Sequence, residues 1–177
     1  MTKVGAGSLR ITGTLELLGV TVSTGKLALE GVNAAGWFAR TEPVLTNNAA
    51  VEIKVAGSDT ATLLYAIQGS GTLTKVGTGT AVMAASNSYS GATVVSEGTL
   101  ALSHASALGS TAAGVSVASG ATLDLRGVAV GAETLTLQGG TLAASSGSSP
   151  DAPPRMAPAS SSRECSRKTC STGLTRF

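Results

Sequence analysis

Four polar side chains have the residue types of a hydrolase triad. His104 is the single histidine, and it lies close in sequence to Ser103 and Ser106, with Asp124 further along the chain. Such a triad needs a serine nucleophile, a histidine base and a carboxylate that orients the histidine. No Gly-x-Ser-x-Gly elbow places a serine at a strained turn, and a lone histidine beside serines is usually an exposed surface residue. We therefore predict no catalytic residue and no enzyme activity.

Cysteine and aspartate side chains are candidate metal ligands. Cys165 and Cys170 suit a disulfide or half of a metal site, but no second Cys or His pair completes four zinc ligands. Asp59 and Asp124 lie outside the Gly-Gly-x-Gly-x-Asp pattern of calcium-binding β-helical repeats. We therefore predict no metal and no cofactor, and we interpret the two cysteines as a chance pair.

Three Gly-x-Gly pairs have the composition of a phosphate-binding loop. None has the third glycine, the following helix or the Lys-Ser/Thr dipeptide that such a loop needs. We interpret them as turn glycines in a repeated strand pattern. The pairs are Gly5 with Gly7, Gly69 with Gly71, and Gly77 with Gly79.

Three asparagines and one aromatic pair could belong either to turns and coil ends or to binding sites. For Asn47, Asn48 and Asn87 we expect turn contacts or stacked amides rather than a ligand site. Trp37 and Phe38 form the one aromatic pair before residue 145. A loop excursion or a coil cap is favoured for this pair over an exposed recognition patch.

Composition divides the chain near residue 144. The 177 residues include 23 glycines and 12% charged residues, with a net charge of +2. Residues 145–177 hold four of the five prolines, nine serines, and five basic against two acidic residues. We predict a folded body over residues 1–144 and a disordered tail over residues 145–177. Clustered Lys and Arg are missing from the body, so no nucleic-acid binding is expected.

Four segments repeat a pattern of alternating apolar residues around a glycine. Alternation with period 2 predicts half-buried strands, and a glycine between them predicts a sharp bend with positive φ. Gly98, Gly120 and Gly140 recur at intervals of roughly 20 residues, which is typical of a solenoid. The segments are Val20–Leu29, Thr93–Leu102, Val115–Leu125 and Leu135–Leu142.

A second repeat links the start of the body to its middle. Thr2–Leu9 matches Thr74–Ala81, and Gly25 precedes Gly98 by nearly the same separation. We interpret these as two similar modules, with about three coils in the interval between the two glycines. The strand candidates in this interval are Ala50–Val55, Leu63–Ile67 and Leu73–Val76.

These repeats together predict an all-β fold, a right-handed parallel β-helix, for residues 1–144. Its coils would stack at about 4.8 Å with Val and Leu inward and with Thr, Ser and Ala outward, and about six or seven coils would make a rod roughly 30 Å long. An antiparallel β-sandwich is the alternative. It predicts hairpin turns every roughly 8–12 residues but no matched separation between modules.

Residues 69–102 carry a longer motif. Gly69–Thr80 reads Gly-Ser-Gly-Thr-Leu-Thr-Lys-Val-Gly-Thr-Gly-Thr, and Asn-Ser-Tyr-Ser-Gly then precedes Glu-Gly-Thr-Leu-Ala-Leu. This stretch resembles the autotransporter passenger-associated β-strand repeat. It departs from the family pattern at Ala81-Val-Met, where Leu-x-Leu is usual, and at Ala85-Ser. Residues 3–29 resemble a degenerate copy without Asn-x-Tyr-Ser-Gly.

The resemblance implies a secreted or surface passenger of a Gram-negative bacterium, exported by type V secretion through a C-terminal barrel of the same chain. Residues 1–177 contain neither a secretory signal nor strands with aromatic girdles. We therefore expect a truncated autotransporter product whose chain does not itself insert into a membrane. The tail is either out-of-frame translation after a frameshift near residue 144 or a Ser/Pro-rich linker.

The expected function is a structural stalk of an adhesin-type passenger at the bacterial cell surface. Its expected partners are a host surface, extracellular matrix or other bacterial cells. Two alternatives remain: the repeats themselves bind carbohydrate or a host protein, or the chain is part of a secreted hydrolase whose catalytic domain is missing. Exposed coil ends would present unpaired strand edges and favour aggregation.

Overall fold

Parallel strands form a β-solenoid in the computed structural model, which describes residues 1–12, 19–31 and 44–145. The described residues contain sixteen strands and no helix, and the sixteen strands form three sheets. All strand pairs within these sheets are parallel. The predicted parallel β-helix is therefore confirmed, and the antiparallel sandwich is wrong.

Each sheet forms one face of the solenoid. The first sheet contains β1 (Thr2–Lys3), β3 (Gly19–Val22), β5 (Val44–Asn47) and β8 (Ala66–Gln68). The second sheet contains β2 (Ser8–Ile11), β4 (Lys26–Glu30), β6 (Ala50–Lys54), β9 (Thr72–Val76), β11 (Thr93–Val95), β13 (Val115–Ala118) and β15 (Leu135–Gln138). The third sheet contains β7 (Thr60–Leu63), β10 (Thr80–Met83), β12 (Thr99–Leu102), β14 (Thr122–Asp124) and β16 (Thr141–Ala143).

The chain visits the three faces in turn, so that β5, β6 and β7 make one coil and β8, β9 and β10 make the next. Strand register gives the length of a coil directly. Leu73 pairs with Thr93, Thr93 with Val115, and Val115 with Leu135. Each of these steps advances the chain by roughly 20 residues, as in solenoid repeats, which confirms the period predicted from the glycines.

The first face continues beyond β8 as irregular rungs. The amides of Ser88 and Ser90 donate to the carbonyl oxygens of Ile67 (2.9 Å) and Gly69 (2.8 Å), and the amide of Ser110 donates to Tyr89 O at 2.9 Å. Backbone hydrogen bonding along the solenoid axis is therefore maintained where the chain is not regular strand.

Inward side chains stack in ladders through the core. On the second face, Leu29, Ile53, Val95 and Val117 lie in register and are fully buried. The expectation that alanines face outward is wrong in part. Ala61, for example, is buried in the third sheet, where it pairs in register with the buried Ala81.

Two local predictions differ from the structure. Leu63–Ile67 is a corner rather than a strand, because β7 ends at Leu63 and β8 begins at Ala66; Leu64 is 61% exposed there. In the fourth repeat the left-handed residue is Gly139, with φ 80°, and not Gly140. A Cβ at Gly140 would instead contact the Ala118 carbonyl oxygen, so this glycine is needed for close packing.

Several predictions lie outside the described residues. They are the disordered tail beyond residue 145, the pair Cys165 and Cys170, and the aromatic pair Trp37 and Phe38. In the described part of the chain, no helix has the length and apolar character to cross a membrane.

Candidate functional site

A lysine occupies a core position in the middle of the solenoid. Lys75 pairs in register with Ile53 on one side and Val95 on the other, so it belongs to the inward ladder of the second face. Its side chain is 1% exposed. An unpaired charge in an apolar core is strongly unfavourable, so the ammonium group must find polar partners.

Those partners are backbone carbonyl oxygens at the corner after β9. Lys75 Nζ donates to Val76 O (2.9 Å), Gly77 O (2.7 Å) and Glu97 O (3.2 Å). The Gly77 amide donates to Glu97 Oε2 at 3.0 Å. Two adjacent coils are therefore joined by two bonds that the coil of Lys75 donates to Glu97 of the next coil. Burial lowers the pKa of Lys75 to about 8, and the negative charge of Glu97 opposes this shift.

The same arrangement occurs a second time. Lys3 Nζ donates to Val4 O (3.0 Å), Gly5 O (2.6 Å) and Thr24 O (3.3 Å). We call each arrangement a lysine corner: Lys3 to Gly5 with Thr24, and Lys75 to Gly77 with Glu97. The two corners coincide with the two copies of the Thr-Lys-Val-Gly-x-Gly sequence. Lys3 lies in the first sheet and Lys75 in the second.

Glycines allow the coils to approach closely at both lysine corners. A Cβ atom on Gly98, whose φ is 63°, would collide with Gly77 O and Gly79 O. A Cβ atom on Gly25 would collide in the same way with the carbonyl oxygens of Gly5 and Gly7. These two Gly-x-Gly pairs therefore lie under the backbone of the next coil.

The third Gly-x-Gly pair packs against a buried asparagine. A Cβ atom on Gly69 would meet Asn47 O, and one on Gly71 would meet Asn47 Oδ1. The interpretation of all three pairs as turn glycines agrees with these contacts.

Sequence reasoning missed the role of the two lysines. The repeated Thr-Lys-Val-Gly-x-Gly sequence is evident at residues 2 and 74, but the repeat alone assigns its lysine no role. The alternation of inward and outward residues did predict that Lys75 points inward, because it lies two residues after the inward residue Leu73. Lysine is so rarely buried that this alternation alone is weak evidence for a buried lysine.

Buried asparagines link other coils. Asn87 Oδ1 accepts from the Ile67 amide at 2.8 Å, and Asn87 Nδ2 donates to Ala107 O at 2.5 Å. Asn47 Nδ2 donates to Thr72 O at 2.8 Å. The expectation of structural amide contacts for these two residues agrees with the hydrogen bonds.

The hydrolase candidates have other partners. His104 Nδ1 accepts from the Ser106 amide at 3.0 Å. Asp124 Oδ1 accepts from the amides of Arg126 (3.1 Å) and Ser145 (3.0 Å). Burial alone would raise the pKa of Asp124, but the hydrogen bonds from Ser145 and Arg126 and the Arg126 charge lower it below its usual value. The carboxylate thus anchors a turn and does not orient the histidine.

Charged side chains on the outside of the second sheet pair between coils. Arg10 and Lys54 approach Glu30 at 2.5 and 3.8 Å, and Lys26 approaches Glu52 at 2.8 Å. The three basic side chains are between 41% and 64% exposed, and such surface pairs contribute little to stability. Among the described residues, no group of three or more His, Cys, Asp or Glu is placed to hold a metal ion.

An apolar cavity of about 110 Å³ lies near the last described coils. Leu108, Leu123 and Leu135 line it, and Glu133 lies beside them. Burial raises the pKa of Glu133. The cavity is well below the roughly 300–1,000 Å³ of typical small-molecule sites, so we interpret it as a packing gap in the core near the last described coils.

Comparisons with known proteins agree with these features. Residues 73–102 match the family described as passenger-associated-transport-repeat. The chain is 34% identical over 148 residues to the adhesin BmaC autotransporter of Brucella suis biovar 1 (strain 1330). That alignment covers 77% of this chain but only 4% of the relative. No solved structure matches the chain.

Proposed function

The chain is an autotransporter passenger segment that carries a passenger-associated-transport repeat, and we propose that it acts as a structural stalk of an adhesin-type passenger at the surface of a Gram-negative bacterium. In this role the coils hold other regions of a longer passenger away from the cell. The proposal extends to this chain the adhesin role that the relative's name gives to that much longer protein.

The observation that carries the proposal is the continuous stack of coils around the matched repeat. Residues 73–102 span β9 to β12, and these strands pair with neighbours on both sides. Seven strands of the second sheet follow one another along the axis, which gives a length of roughly 30 Å at the usual strand spacing. A stack hydrogen-bonded along its axis is well suited to act as a spacer.

The polar groups inside the stack favour a non-catalytic role. Lys75, Asn47 and Asn87 make hydrogen bonds that join successive coils, and Asp124 is held by Ser145 and Arg126. These contacts use the polar side chains for structure. The hydrolase alternative gains no support from this arrangement.

Contact with a host surface, extracellular matrix or other bacterial cells is assigned in this proposal to regions of a longer passenger outside this chain. Surface display tests both parts of the proposal. The full chain is placed between an N-terminal epitope and the C-terminal barrel of an unrelated autotransporter. The control carries the epitope directly on the barrel.

We expect antibody to reach the epitope on intact cells that display the chain, and added protease to remove the epitope while leaving the coils. Attachment of these cells to cultured host cells should equal that of the control. Attachment above the control would make the coils themselves a binding surface and overturn the stalk. An epitope that stays inaccessible would overturn the export of this chain as a passenger segment.

A further inference from the structure

The two lysine corners share their backbone contacts although they lie on different faces and although Lys75 is fully buried and Lys3 only half-buried. In each, the ammonium group binds two carbonyl oxygens of its own coil and one of the next coil. In each, a glycine of the next coil packs against the two glycines that follow the lysine. The arrangement therefore belongs to the Thr-Lys-Val-Gly-x-Gly sequence and not to one position in the solenoid.

Aliphatic ladders alone specify register weakly. Moving β11 by two residues keeps inward side chains inward, and in one direction it places the buried Thr93, which is similar in size to Val95, beside Lys75. The lysine corner distinguishes these states. After such a slip, Glu97 O would no longer face Lys75 Nζ, and Glu97 Oε2 would no longer accept from Gly77 N.

We propose that Lys75 and Lys3 are register-determining residues, which select the native alignment of the coil that follows each of them. The ammonium group has its full set of partners only when the next coil is in native register. At Lys75 a slipped coil leaves a buried donor without its partner, which is more unfavourable than a small loss of packing. At Lys3, which is half-buried, the same loss has a smaller effect. The lysine thus acts against wrong alignments, as buried polar residues do in coiled coils.

Stability alone would not test this role, because an apolar replacement of a buried charge is often neutral. Disulfide trapping reads register directly. Thr74 pairs with Val94 in the native alignment, and Ala92 takes the place of Val94 after the slip that places Thr93 beside Lys75. Neither Thr74 nor Val94 is fully buried, and strand neighbours lie within reach of a disulfide.

The experiment compares two double-cysteine forms of the full chain, Thr74→Cys with Val94→Cys and Thr74→Cys with Ala92→Cys. Cys165 and Cys170 are changed to Ser in both. Each form is refolded under oxidising conditions with Lys75 present and with Lys75→Met. Lys54→Met is the matched control, because Lys54 is an exposed lysine on the same face.

With Lys75 present, we expect the native pair to form and the slipped pair to be rare. Lys75→Met should raise the fraction of slipped disulfide by about tenfold, the factor that corresponds to one charge-assisted hydrogen bond. Lys54→Met should leave the ratio unchanged. An unchanged ratio in folded Lys75→Met would overturn the proposal.

Lys3 provides a second test if Lys75→Met does not fold. Lys3→Met affects the first coil, and the remaining coils keep their own contacts. Thr2 pairs with Thr21 and Lys3 with Val22 in native register, and Gly19 is the partner of Thr2 after the slip of two residues that places the buried Val20 beside Lys3. Because Lys3 is only half-buried, the proposal requires an increase in the slipped disulfide that is smaller than at Lys75, and a constant ratio there refutes it.

Discussion

At the scale of single residues, Lys75 links a repeat motif to the energetics of the core. Its stem replaces an aliphatic side chain in the ladder between Ile53 and Val95, and its ammonium group replaces water with three carbonyl oxygens. Burial nevertheless disfavours the charged form. This residue therefore couples the stability of the solenoid to pH.

The expected pH dependence follows from the pKa of Lys75 in the two states. The pKa is about 8 in the folded chain and about 10.4 for an unfolded lysine. Between these values the unfolded chain binds more protons, so the free energy of unfolding rises with pH. The buried hydroxyl groups of Tyr65 and Tyr89, whose pKa values are raised by burial, act in the opposite direction above about pH 10.

Urea unfolding of the wild type and of Lys75→Met separates these effects, because both chains contain the tyrosines. The free energy of unfolding of the wild type, relative to that of the variant, should increase from pH 7.5 to pH 9.5. A difference that stays constant over this range, or that decreases, would contradict the assignment of a lowered pKa to Lys75.

Gly98 and Gly120 form a matched pair for testing close packing at a corner. Both have positive φ, 63° and 78°. A Cβ atom on Gly98 would collide with two carbonyl oxygens, whereas one on Gly120 has nothing within 4 Å. Gly120→Ala should cost about 1–2 kcal/mol from backbone strain alone, and Gly98→Ala at least about 3 kcal/mol. Equal losses in chemical unfolding would show that coil contact at Gly98 is unimportant.

At the scale of elements, the strands that alternate clearly were predictable. The segments around Gly25, Gly98 and Gly120 each correspond to two strands and a left-handed glycine. The corner at Leu64 and Tyr65 was not, because its alternation continues through the bend while Leu64 turns outward. Which face each strand occupies was also beyond the sequence pattern, since the same motif forms corners between different pairs of faces.

Irregular rungs are stabilised by side chains where strand pairing stops. Asn87 binds both the Ile67 amide and the Ala107 carbonyl oxygen, so Asn87→Ala leaves two buried backbone groups without that partner. We expect a loss of about 2–4 kcal/mol in the free energy of unfolding. Asn48→Ala is the control, because Asn48 is exposed, and it should change stability by less than about 0.5 kcal/mol. A loss below about 1 kcal/mol for Asn87→Ala would contradict the structural role of its amide.

At the scale of the whole body, the structure redefines the long repeat. The sequence predicts two similar modules about three coils apart. Lys3 lies in the first sheet of the first coil, and Lys75 lies in the second sheet of the fourth coil. The two lysine corners are therefore separated by three coils plus one step to the next face. Sequence similarity gives the spacing along the chain, but the number of residues per coil decides how far the motif rotates around the axis.

The central claim is that the body is a stack of equivalent coils, and deletion of one whole coil tests it most directly. Val115 and Leu135 are register partners. Removing residues 115–134 therefore places Leu135 in the position of Val115 and removes one whole coil without changing the register of the rest. Removing residues 115–124 instead deletes about half of a coil and shifts every later strand to the wrong face.

Urea unfolding followed by circular dichroism is the measurement. The whole-coil deletion should unfold in one cooperative transition, with an m-value lower by about one seventh because less surface is exposed. The half-coil deletion should lose this transition or unfold at much lower urea. Equal damage by the two deletions would contradict the solenoid account.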